Sequence, residues 1–447
     1  MTDQIPLSFN QEFLCVLDEG DITGAFSNRH TLVNGWRLTG KVDVEALHGA
    51  LDDIVARHEI LRTTIIRDAE PRYQEICPPS PVTLLVTDLP PVADKSRNLR
   101  TEELLNEVER DTLSVRGLPL LRAVLGRFDD HDSILILVLH HIAADAWSVQ
   151  LIIRDLATCY AIRRGYRPRG LPDVHQYREF AVSQRTSSAD EETQVAREYW
   201  REKLRGAQVF AIPTDQAPPA ELASPYSKHN FLIDAELTEM TVEFAKEMRS
   251  SPFIILLAAF YLLSHKMTGA TDLTVQTFTS GRNEPRFRNT VGPFLNLLPI
   301  RTDIASCASF RDVVARTRAS CVDAYAHDVS FAHILPVAHD LMQPSGKADL
   351  ALFAFEMVQS PGLAEGTQVG DISYSEIRKR LLPQPVASGI PNGVLWALDL
   401  LPSGETAGSV QFNPDQFDRH WVVDMVREYR RVLRKSVTEP DERRELP

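Results

Sequence analysis

The sequence predicts an α/β fold divided into two domains. Apolar runs with the length of strands alternate with segments of helical periodicity in both halves of the chain. At 447 residues the chain is longer than a single ordinary core accommodates. The segment Arg163–Asp173 is rich in Arg, Gly and Pro, which is typical of a linker. We therefore expect one domain over residues 1–175 and a second over residues 176–447.

In the first half, apolar spacing and cap residues predict each element. Leu47, Leu51 and Ile54 share one face of a helix that has Asp43 near its start. The uninterrupted apolar run Ile134–Leu139 indicates a strand buried on both faces, and a helical pattern follows it. The predicted elements, in order, are helix 7–17, strand 32–39, helix 42–58, a strand directly after it, helix 101–113, a strand within 119–128, strand 134–139 and helix 147–160.

In the second half, the same reasoning predicts a similar alternation of helices and strands. Pro252 suits the first turn of a helix that buries Phe253–Leu263, because a proline there loses no backbone hydrogen bond. The predicted elements are a helical segment 177–204 broken by a polar run, an extended crossing 212–228, the helix from Pro252, strand 272–278, helix 310–325, and strands 349–358, 394–401 and 409–412. A final helix is predicted over 415–435.

Charge, cysteine spacing and the N-terminal sequence argue against several classes of function. The net charge is -13 and the basic residues form no stripe, which argues against a nucleic-acid partner. The five cysteines are scattered without metal-ligand spacing, so neither a disulfide framework nor a zinc site is expected. The N-terminus lacks the pattern of a signal peptide, and the longest apolar run is too short for a membrane span. We expect a cytoplasmic protein with no membrane partner.

The loop after strand 134–139 concentrates titratable side chains. His140 and His141 follow the strand at once, and Asp145 comes four residues later, where it can cap the next helix. An imidazole with its ordinary pKa suits general-base chemistry at neutral pH. The pair could equally satisfy the loop backbone, whereas a metal site would require a third ligand that the sequence does not supply nearby.

Motifs for covalent or cofactor chemistry are missing from the sequence. There is no G-x-S-x-G, no phosphate-binding P-loop and no G-x-G-x-x-G. These absences argue against a covalent acyl-enzyme, ATP and nicotinamide cofactors. Direct transfer between two bound substrates remains, with the protein supplying position and one proton acceptor.

Five segments together resemble motifs of the condensation domains of nonribosomal peptide synthetases. HHIAADA (140–146) resembles their HHxxxDG signature, and RHEILRTTI (57–65) resembles RHExLRTxF. YREFAV (177–182), with EYWREKL downstream, resembles the Y-x-D-[FY]-A-x-W region. TSGRNEP and VGPFLNLLPIR resemble the S-GR and G-x-F-V-N motifs, and AHDVSFAHIL (326–335) is similar to HQDxPFExL. The matches cover the whole chain in the family's order.

This resemblance implies two chloramphenicol acetyltransferase-like α+β sandwich lobes in a V-shaped pseudo-dimer, with a tunnel at their junction. Donor and acceptor peptidyl carrier proteins would deliver substrates on 4'-phosphopantetheine arms, so no cofactor is expected to bind the domain itself. The product would be an amide, or an ester if the nucleophile is a hydroxyl. Neighbouring synthetase domains are further expected partners, and the chain is expected to be a monomer.

The resemblance also assigns roles to residues. His141 is the expected general base or nucleophile-positioning group, and His140 and Asp145 complete the catalytic motif in more structural roles. Arg282 is expected to pair with Asp145, and Arg62 to help hold the same loop. Trp147, Thr279, Ser280 and Asn296 are candidates for the tunnel lining. No metal site is expected.

One departure from the family pattern concerns Ala146, which stands where the motif has glycine. A methyl group is tolerated there if φ is negative but disfavoured if φ is positive. It would also narrow the space beside His141, which predicts altered substrate choice or lower activity.

Other functions remain open at this stage. A condensation-like platform that recruits tailoring enzymes, and a coenzyme A-dependent acyltransferase, are the main alternatives. An epimerisation or cyclisation domain fits the motifs less well. After the last predicted helix only the charged tail TEPDERRELP follows, so a free-standing enzyme and a domain of a larger synthetase are both compatible with the sequence.

Overall fold

A computed structural model describes residues 4–18, 20, 24–187, 190–216, 224–347, 349–358, 367–387 and 393–443. The helices are α1 Phe9–Val16, α2 Val44–Arg57, α3 Asp94–Arg110, α4 Ala146–Arg163, α5 Tyr177–Ser187, α6 Glu191–Lys203, α7 Ala235–Glu247, α8 Pro252–Thr268, α9 Phe310–Ala326, α10 Phe331–Ile334 and α11 Arg419–Thr438.

The strands, numbered along the whole chain, are β1 Ile5–Pro6, β2 Thr31–Thr39, β3 Thr63–Ile66, β4 Tyr73–Ile76, β5 Thr83–Asp88, β6 Leu121–Arg127, β7 Asp132–His140, β8 Ala211–Pro213, β9 Tyr226–Ile233, β10 Asp272–Thr279, β11 Asn296–Asp303, β12 Leu350–Met357, β13 Thr367–Val369, β14 Ile372–Glu376, β15 Gln384–Ala387, β16 Gly393–Leu400 and β17 Thr406–Phe412.

The chain forms two compact units, and their boundaries differ from the predicted single cut near residue 175. The first unit consists of residues 1–188, 280–295 and 359–382, and the second of residues 189–279, 296–358 and 383–447. Helix α5 stays with the first unit because Tyr177 is buried there and hydrogen-bonds to Ser8. Strand β14 belongs there because it pairs with β2. Such long-range pairings are invisible to a composition-based boundary.

A six-stranded sheet organises the first unit, in the order β13-β14-β2-β7-β6-β5. Strand β7 lies between β2 and β6 and is antiparallel to both. Its alternate side chains enter two different apolar clusters, Leu135, Leu137 and Leu139 on one face and Ile134, Ile136 and Val138 on the other. The prediction that this strand is buried on both faces is confirmed.

Helices cover both faces of this sheet. Leu51 of α2 and Ile152 of α4 belong to one apolar cluster, and Leu104 of α3 belongs to the other. Helix α3 packs closely because Gly126 of β6 has no side chain; a Cβ there would lie 2.7 Å from the Leu104 side chain. Helices on both sides of β7 hold its carboxyl end, and hence the two histidines, on a rigid support.

The second unit contains an eight-stranded sheet, in the order β11-β10-β12-β16-β17-β9-β15, with β8 paired to β12. Helix α8 is buried along most of its length, as its apolar sequence predicts. Two buried tyrosines tie this unit together: the Tyr261 hydroxyl donates to the Ile300 carbonyl (2.7 Å), and the Tyr429 hydroxyl donates to the Leu256 carbonyl (3.0 Å).

The predicted elements are largely present, but several bounds differ and several strands, among them β4, β5 and β11, were not predicted. Helix α3 begins at Asp94 instead of Thr101, and α11 begins at Arg419, because Asp418 caps it. Strand β9 and helix α7 were not predicted as separate elements. Part of the predicted crossing 212–228 lies outside the described residues. Among the described helices none is by itself long and apolar enough to span a membrane; α7 and α8 meet that criterion only as a pair bent by 106°.

Candidate active site

The candidate site is the turn between β7 and α4, and all of its contacts described here lie within the first unit. The amide of Ala143 donates to the His140 carbonyl (2.9 Å) and closes the turn. Asp145 is the N-cap of α4: its carboxylate accepts from the Ser148 amide at 2.8 Å. An Asp at this position satisfies a backbone donor that the first helical turn leaves without a partner.

His140 is buried, and both of its ring nitrogens are engaged. Nδ1 lies 3.3 Å from the Ile142 amide, which can only donate, and Nε2 lies 2.9 Å from the Ser27 carbonyl, which can only accept. These partners require a neutral ring with its proton on Nε2. Burial lowers the pKa of His140 to about 4, although the bond to Ser27 acts in the opposite direction. His140 is therefore a structural group that ties the turn to the segment before β2.

His141 has a different environment. Its amide donates to the His30 carbonyl at 2.9 Å, and its ring stacks on the His30 ring with centroids 4.8 Å apart. Burial lowers the pKa of His141, while the charge of Asp145 and backbone hydrogen bonds at His141 and Ala144 act to raise it. Within the described part of the chain, no side chain hydrogen-bonds to this ring. The ring is thus oriented by stacking and by backbone, and the residue is only partly buried, unlike His140.

Asp145 and Arg282 form the predicted pair. The guanidinium binds both carboxylate oxygens, Nη1 to Oδ2 at 2.7 Å and Nη2 to Oδ1 at 3.0 Å. The amide of Phe294 also donates to Asp145 Oδ2 at 3.1 Å. Burial alone would raise the pKa of Asp145, but the charge and hydrogen bonds of Arg282, with those of Ser148, hold it below its ordinary value. With four donors the carboxylate is saturated, and its role is structural.

Segment 280–295 is fastened to α4 through backbone as well as side chains. The Ser148 hydroxyl donates to the Gly292 carbonyl (2.9 Å) and accepts from the Gly292 amide (3.0 Å). A Cβ at Gly292 would lie 2.0 Å from the Tyr177 ring. Gly281 has a φ of +62°, and a Cβ there would lie 2.0 Å from the Phe294 carbonyl oxygen. The two glycines of the second-half motifs are therefore required by close approach and, at Gly281, by left-handed backbone.

Ala146 occupies the first position of α4, and its φ is not positive. Backbone strain is therefore absent at the position where the family motif has glycine. The next residue, Trp147, is partly buried and donates from its indole to the Arg288 carbonyl at 3.1 Å. It also lies over the Arg282 guanidinium at 5.6 Å, so it packs against segment 280–295.

The expectation that Arg62 holds the catalytic loop is wrong. Its guanidinium donates to the carbonyls of Val55 and Cys77, and the Cys77 amide donates to the Arg62 carbonyl. Arg62 therefore ties the end of α2 to the chain after β4. An arginine has many possible carbonyl partners, and sequence spacing does not choose among them.

Of the remaining candidates, Ser280 lies in the first unit, where its carbonyl accepts from Arg282 (3.2 Å). Thr279 and Asn296 lie in the second unit. Thr279 donates to one oxygen of Asp328 and Asn296 to the other, at 3.0 and 2.8 Å. The Asn296 amide group also bonds to backbone at Val329 and Phe331. These two side chains hold the segment that follows α9.

Two features of the first unit were not identified from the sequence. One is His30, which no motif marks and which reaches His141 only through the pairing of β2 with β7. The other is Asp155, which is buried in α4 and binds Arg57, His58 and Arg154. The RHE segment gave a signal for the second feature, because a buried histidine beside a partly buried arginine needs an anionic partner. In the described ranges, no set of three His, Cys, Asp or Glu side chains forms a metal-binding group.

A family comparison accounts for this arrangement. The model of the condensation domain matches residues 1–445. The chain belongs to the condensation domain family.

Curated relatives of this family are large synthetases. The chain is 30% identical over 445 residues to a linear gramicidin synthase of Brevibacillus parabrevis, covering 98% of this chain and 8% of that protein. It is 29% identical over 452 residues to the chondramide synthase cmdD of Chondromyces crocatus, covering 99% of this chain and 11% of that protein. The chain thus spans only a small part of each of these relatives.

Solved structures confirm the fold class. The SgcC5 protein of Streptomyces globisporus, crystallised with an aryl-1,2-ethanediol and sucrose, is 43% identical with a TM-score of 0.95, over 98% of this chain and 100% of that chain. The X-domain from teicoplanin biosynthesis has a TM-score of 0.80 at 24% identity, over 99% of this chain and 97% of that chain, and so shows the fold alone. The condensation-domain fold, which is chloramphenicol acetyltransferase-like, is thereby established for this chain.

Proposed function

We propose that this condensation-family protein is an acyltransferase that joins a donor acyl or peptidyl thioester to an acceptor nucleophile, and that His141 is its proton acceptor. One observation carries the proposal. Of the three motif side chains, His140 is locked as a neutral structural group and Asp145 is saturated by four donors. His141 differs from both because it is only partly buried, whereas His140 and Asp145 are fully buried, and no side chain in the described part of the chain hydrogen-bonds to its ring.

The chemistry moves one proton from the nucleophile to the departing thiolate, in two steps. The acceptor nitrogen or oxygen attacks the thioester carbonyl carbon, a C–N or C–O bond forms and the C–S bond breaks. His141 takes the proton that the nucleophile loses and returns it to the departing thiolate, so that the products are an amide or ester and a free thiol. Because burial lowers the pKa of His141, the ring is neutral and ready to accept a proton at pH 7.

Asp145 and Arg282 support this step without taking part in it. Their ion pair holds the first turn of α4 against segment 280–295, so the turn that carries His141 has both ends attached to rigid elements. A general base acts efficiently only when its position is held within a few tenths of an ångström.

The proposed substrates are thioesters on the 4'-phosphopantetheine arms of carrier proteins, by analogy with the synthetases in which related domains occur. For the acceptor, the likeness to SgcC5 adds a specific possibility, since that protein was crystallised with an aryl-1,2-ethanediol. An acceptor hydroxyl, giving an ester, is therefore proposed beside an acceptor amine.

Intact-mass spectrometry of the carrier proteins tests the proposal. A donor carrier loaded with a panel of acyl and aminoacyl groups is incubated with either an amine-loaded acceptor carrier or a free 1-aryl-1,2-ethanediol. We expect transfer to at least one acceptor, and a loss of about 10²- to 10⁴-fold in His141→Ala. His131→Ala is the matched control, because His131 is exposed and contributes its backbone carbonyl to Gly40.

Each outcome has a clear meaning. Equal rates in wild type and His141→Ala would contradict the proton-acceptor role while leaving acyl transfer intact. Binding of carriers without transfer from any donor would contradict the acyltransferase proposal and favour a platform function. Transfer from acyl-coenzyme A at the same rate as from a carrier would contradict the requirement for a carrier.

A further inference from the structure

His30 lies beside the proposed proton acceptor, although none of the sequence motifs includes it. It is the last residue before β2, and its neighbour Thr31 is paired with His140 across the sheet. The His30 amide donates to the Ser27 carbonyl at 3.0 Å, which forms a tight turn over residues 27–30. This turn presents the His30 ring to the end of β7.

The paired histidines hold this turn at two points. The His140 ring donates to the same Ser27 carbonyl at 2.9 Å, and the His141 amide donates to the His30 carbonyl at 2.9 Å. The position of His30 is therefore determined by the two residues that it contacts. The turn that carries His30 is thus anchored by the two histidines of the catalytic motif, which is not needed for a side chain that only fills space.

The three imidazoles have a defined arrangement. The rings of His30 and His141 stack with centroids 4.8 Å apart and planes inclined by 22°, while His30 and His140 meet edge to face at 6.1 Å and 62°. Stacked rings present their faces to each other and direct their nitrogens along nearly parallel planes. The pair is thus unsuited to chelating one metal ion, and suited to holding one ring parallel to the other.

We propose that His30 is a positioning residue for His141: its stacked ring sets the orientation of the reactive imidazole and keeps water from its inner face. This inference rests on the proposed role of His141 as the proton acceptor. In this role His30 does not contact the substrate. The role also gives a reason why the His140 ring hydrogen-bonds to the 27–30 turn.

The charge states of the titratable groups around His30 agree with its role as a positioning residue. The titratable groups that face one another here are His30, His140, His141 and Asp145, and Asp145 is already neutralised by Arg282. Burial, with the neighbouring His141 and His140, holds the pKa of His30 well below its ordinary value. A neutral His30 lets His141 gain a proton without a second positive charge against its face, whereas two stacked imidazolium ions would repel each other.

The test compares His30→Ala, His30→Phe and wild type in the carrier transfer assay over a range of pH. His30→Ala removes the stacked face, so we expect kcat to fall about 10- to 100-fold. Water then reaches His141, its pKa rises towards the ordinary value, and the acid limb of the pH profile moves to higher pH. His30→Phe keeps an aromatic face without a titrating nitrogen, and should restore both kcat and the acid limb close to wild type.

A second measurement keeps this inference separate from the proposed function. NMR titration of histidine-labelled protein follows the His141 ring directly, assigned by its loss in His141→Ala, with His131→Ala as the control. We expect the His141 pKa to rise in His30→Ala and to stay near wild type in His30→Phe, whatever the transfer activity.

An unchanged His141 titration in His30→Ala would overturn the inference. Equal losses of kcat in the Ala and Phe variants with an unmoved acid limb would also overturn it, since that pattern indicates a purely structural role. A shifted titration together with full transfer by His141→Ala would instead contradict the proposed function, and would leave the stacking contact established.

Discussion

Two buried aspartates ten residues apart, Asp145 at the N-cap of α4 and Asp155 within it, each bind cationic side chains. The two regions around them differ in how deeply those cations are buried. We call them the N-terminal cluster (Asp145, Ser148, Arg282, Gly292, Phe294) and the mid-helix cluster (Asp155, Arg57, His58, Arg154). Both carboxylates are buried, and in both the pKa is lowered because the bound cations and hydrogen bonds outweigh the effect of burial.

The clusters differ in the exposure of their cations. The Arg282 side chain is 1% exposed, whereas those of Arg57 and Arg154 are 19% and 26% exposed. Loss of Asp145 would leave a guanidinium buried without an anion, while the cations around Asp155 can turn towards water. The N-terminal cluster is therefore the stronger constraint, and it lies where the catalytic turn needs one.

The largest effect is expected from Asp145→Asn. The amide keeps the shape but removes the anion, and leaves Arg282 buried and charged, which costs about 3–5 kcal/mol of unfolding free energy. Urea unfolding measures this loss. Asp53→Asn is the matched control, because Asp53 pairs with Arg163 on the surface and should cost only about 0–1 kcal/mol. Equal losses of unfolding free energy in Asp145→Asn and Asp53→Asn would show that burial does not make the Asp145–Arg282 ion pair more important than the exposed Asp53–Arg163 pair.

A smaller but substantial loss is expected from Gly292→Ala. The new methyl group would lie 2.0 Å from the Tyr177 ring, so the segment 280–295 or the tyrosine must move. Overpacking of this kind costs about 1–3 kcal/mol, and here the upper part of that range is expected. Thermal unfolding and the transfer assay both report it. Gly170→Ala is the control, since nothing lies within 4 Å of its added methyl; equal behaviour of the two variants would show that close backbone approach is unimportant in the N-terminal cluster.

The mid-helix cluster should tolerate Asp155→Asn better, at about 2 kcal/mol. Burial acts to raise the pKa of Asp155, but the bonds and charges of His58, Arg154 and Arg57 lower it to about 2. Because the folded pKa is below the unfolded value of about 3.9, this stability is present above pH 4 and is lost as pH falls from about 4 through 2.

Unfolding free energies of wild type and Asp155→Asn, measured between pH 5 and 2, check this prediction. The difference between the two proteins should shrink across that window and vanish near its acid end. A difference that stays constant with pH would show that packing, and not the ionised carboxylate, accounts for the loss. A loss larger than that of Asp145→Asn would reverse the comparison between the two clusters.

Local patterns in the sequence were sufficient for much of the candidate site. The apolar run 134–139 predicted β7, the following helical spacing predicted α4, and Asp145 was identified as its cap. The pairing of Asp145 with Arg282 came from the family resemblance, because 137 residues separate the two and no local rule connects them. The same resemblance led to the wrong expectation for Arg62, whose partners are backbone carbonyls close to it in the chain.

The sequence by itself determined the fold class, the family and the placement of His140, His141 and Asp145 between a strand and a helix, since each depends on periodicity or on motifs of adjacent residues. Only the tertiary structure decided that His140 is locked, that His141 stacks on His30, and that segments 280–295 and 372–376 belong to the first unit. Those properties arise from contacts between residues far apart in the chain. Their geometry depends on how the strands and helices pack, which residue spacing along one segment does not encode.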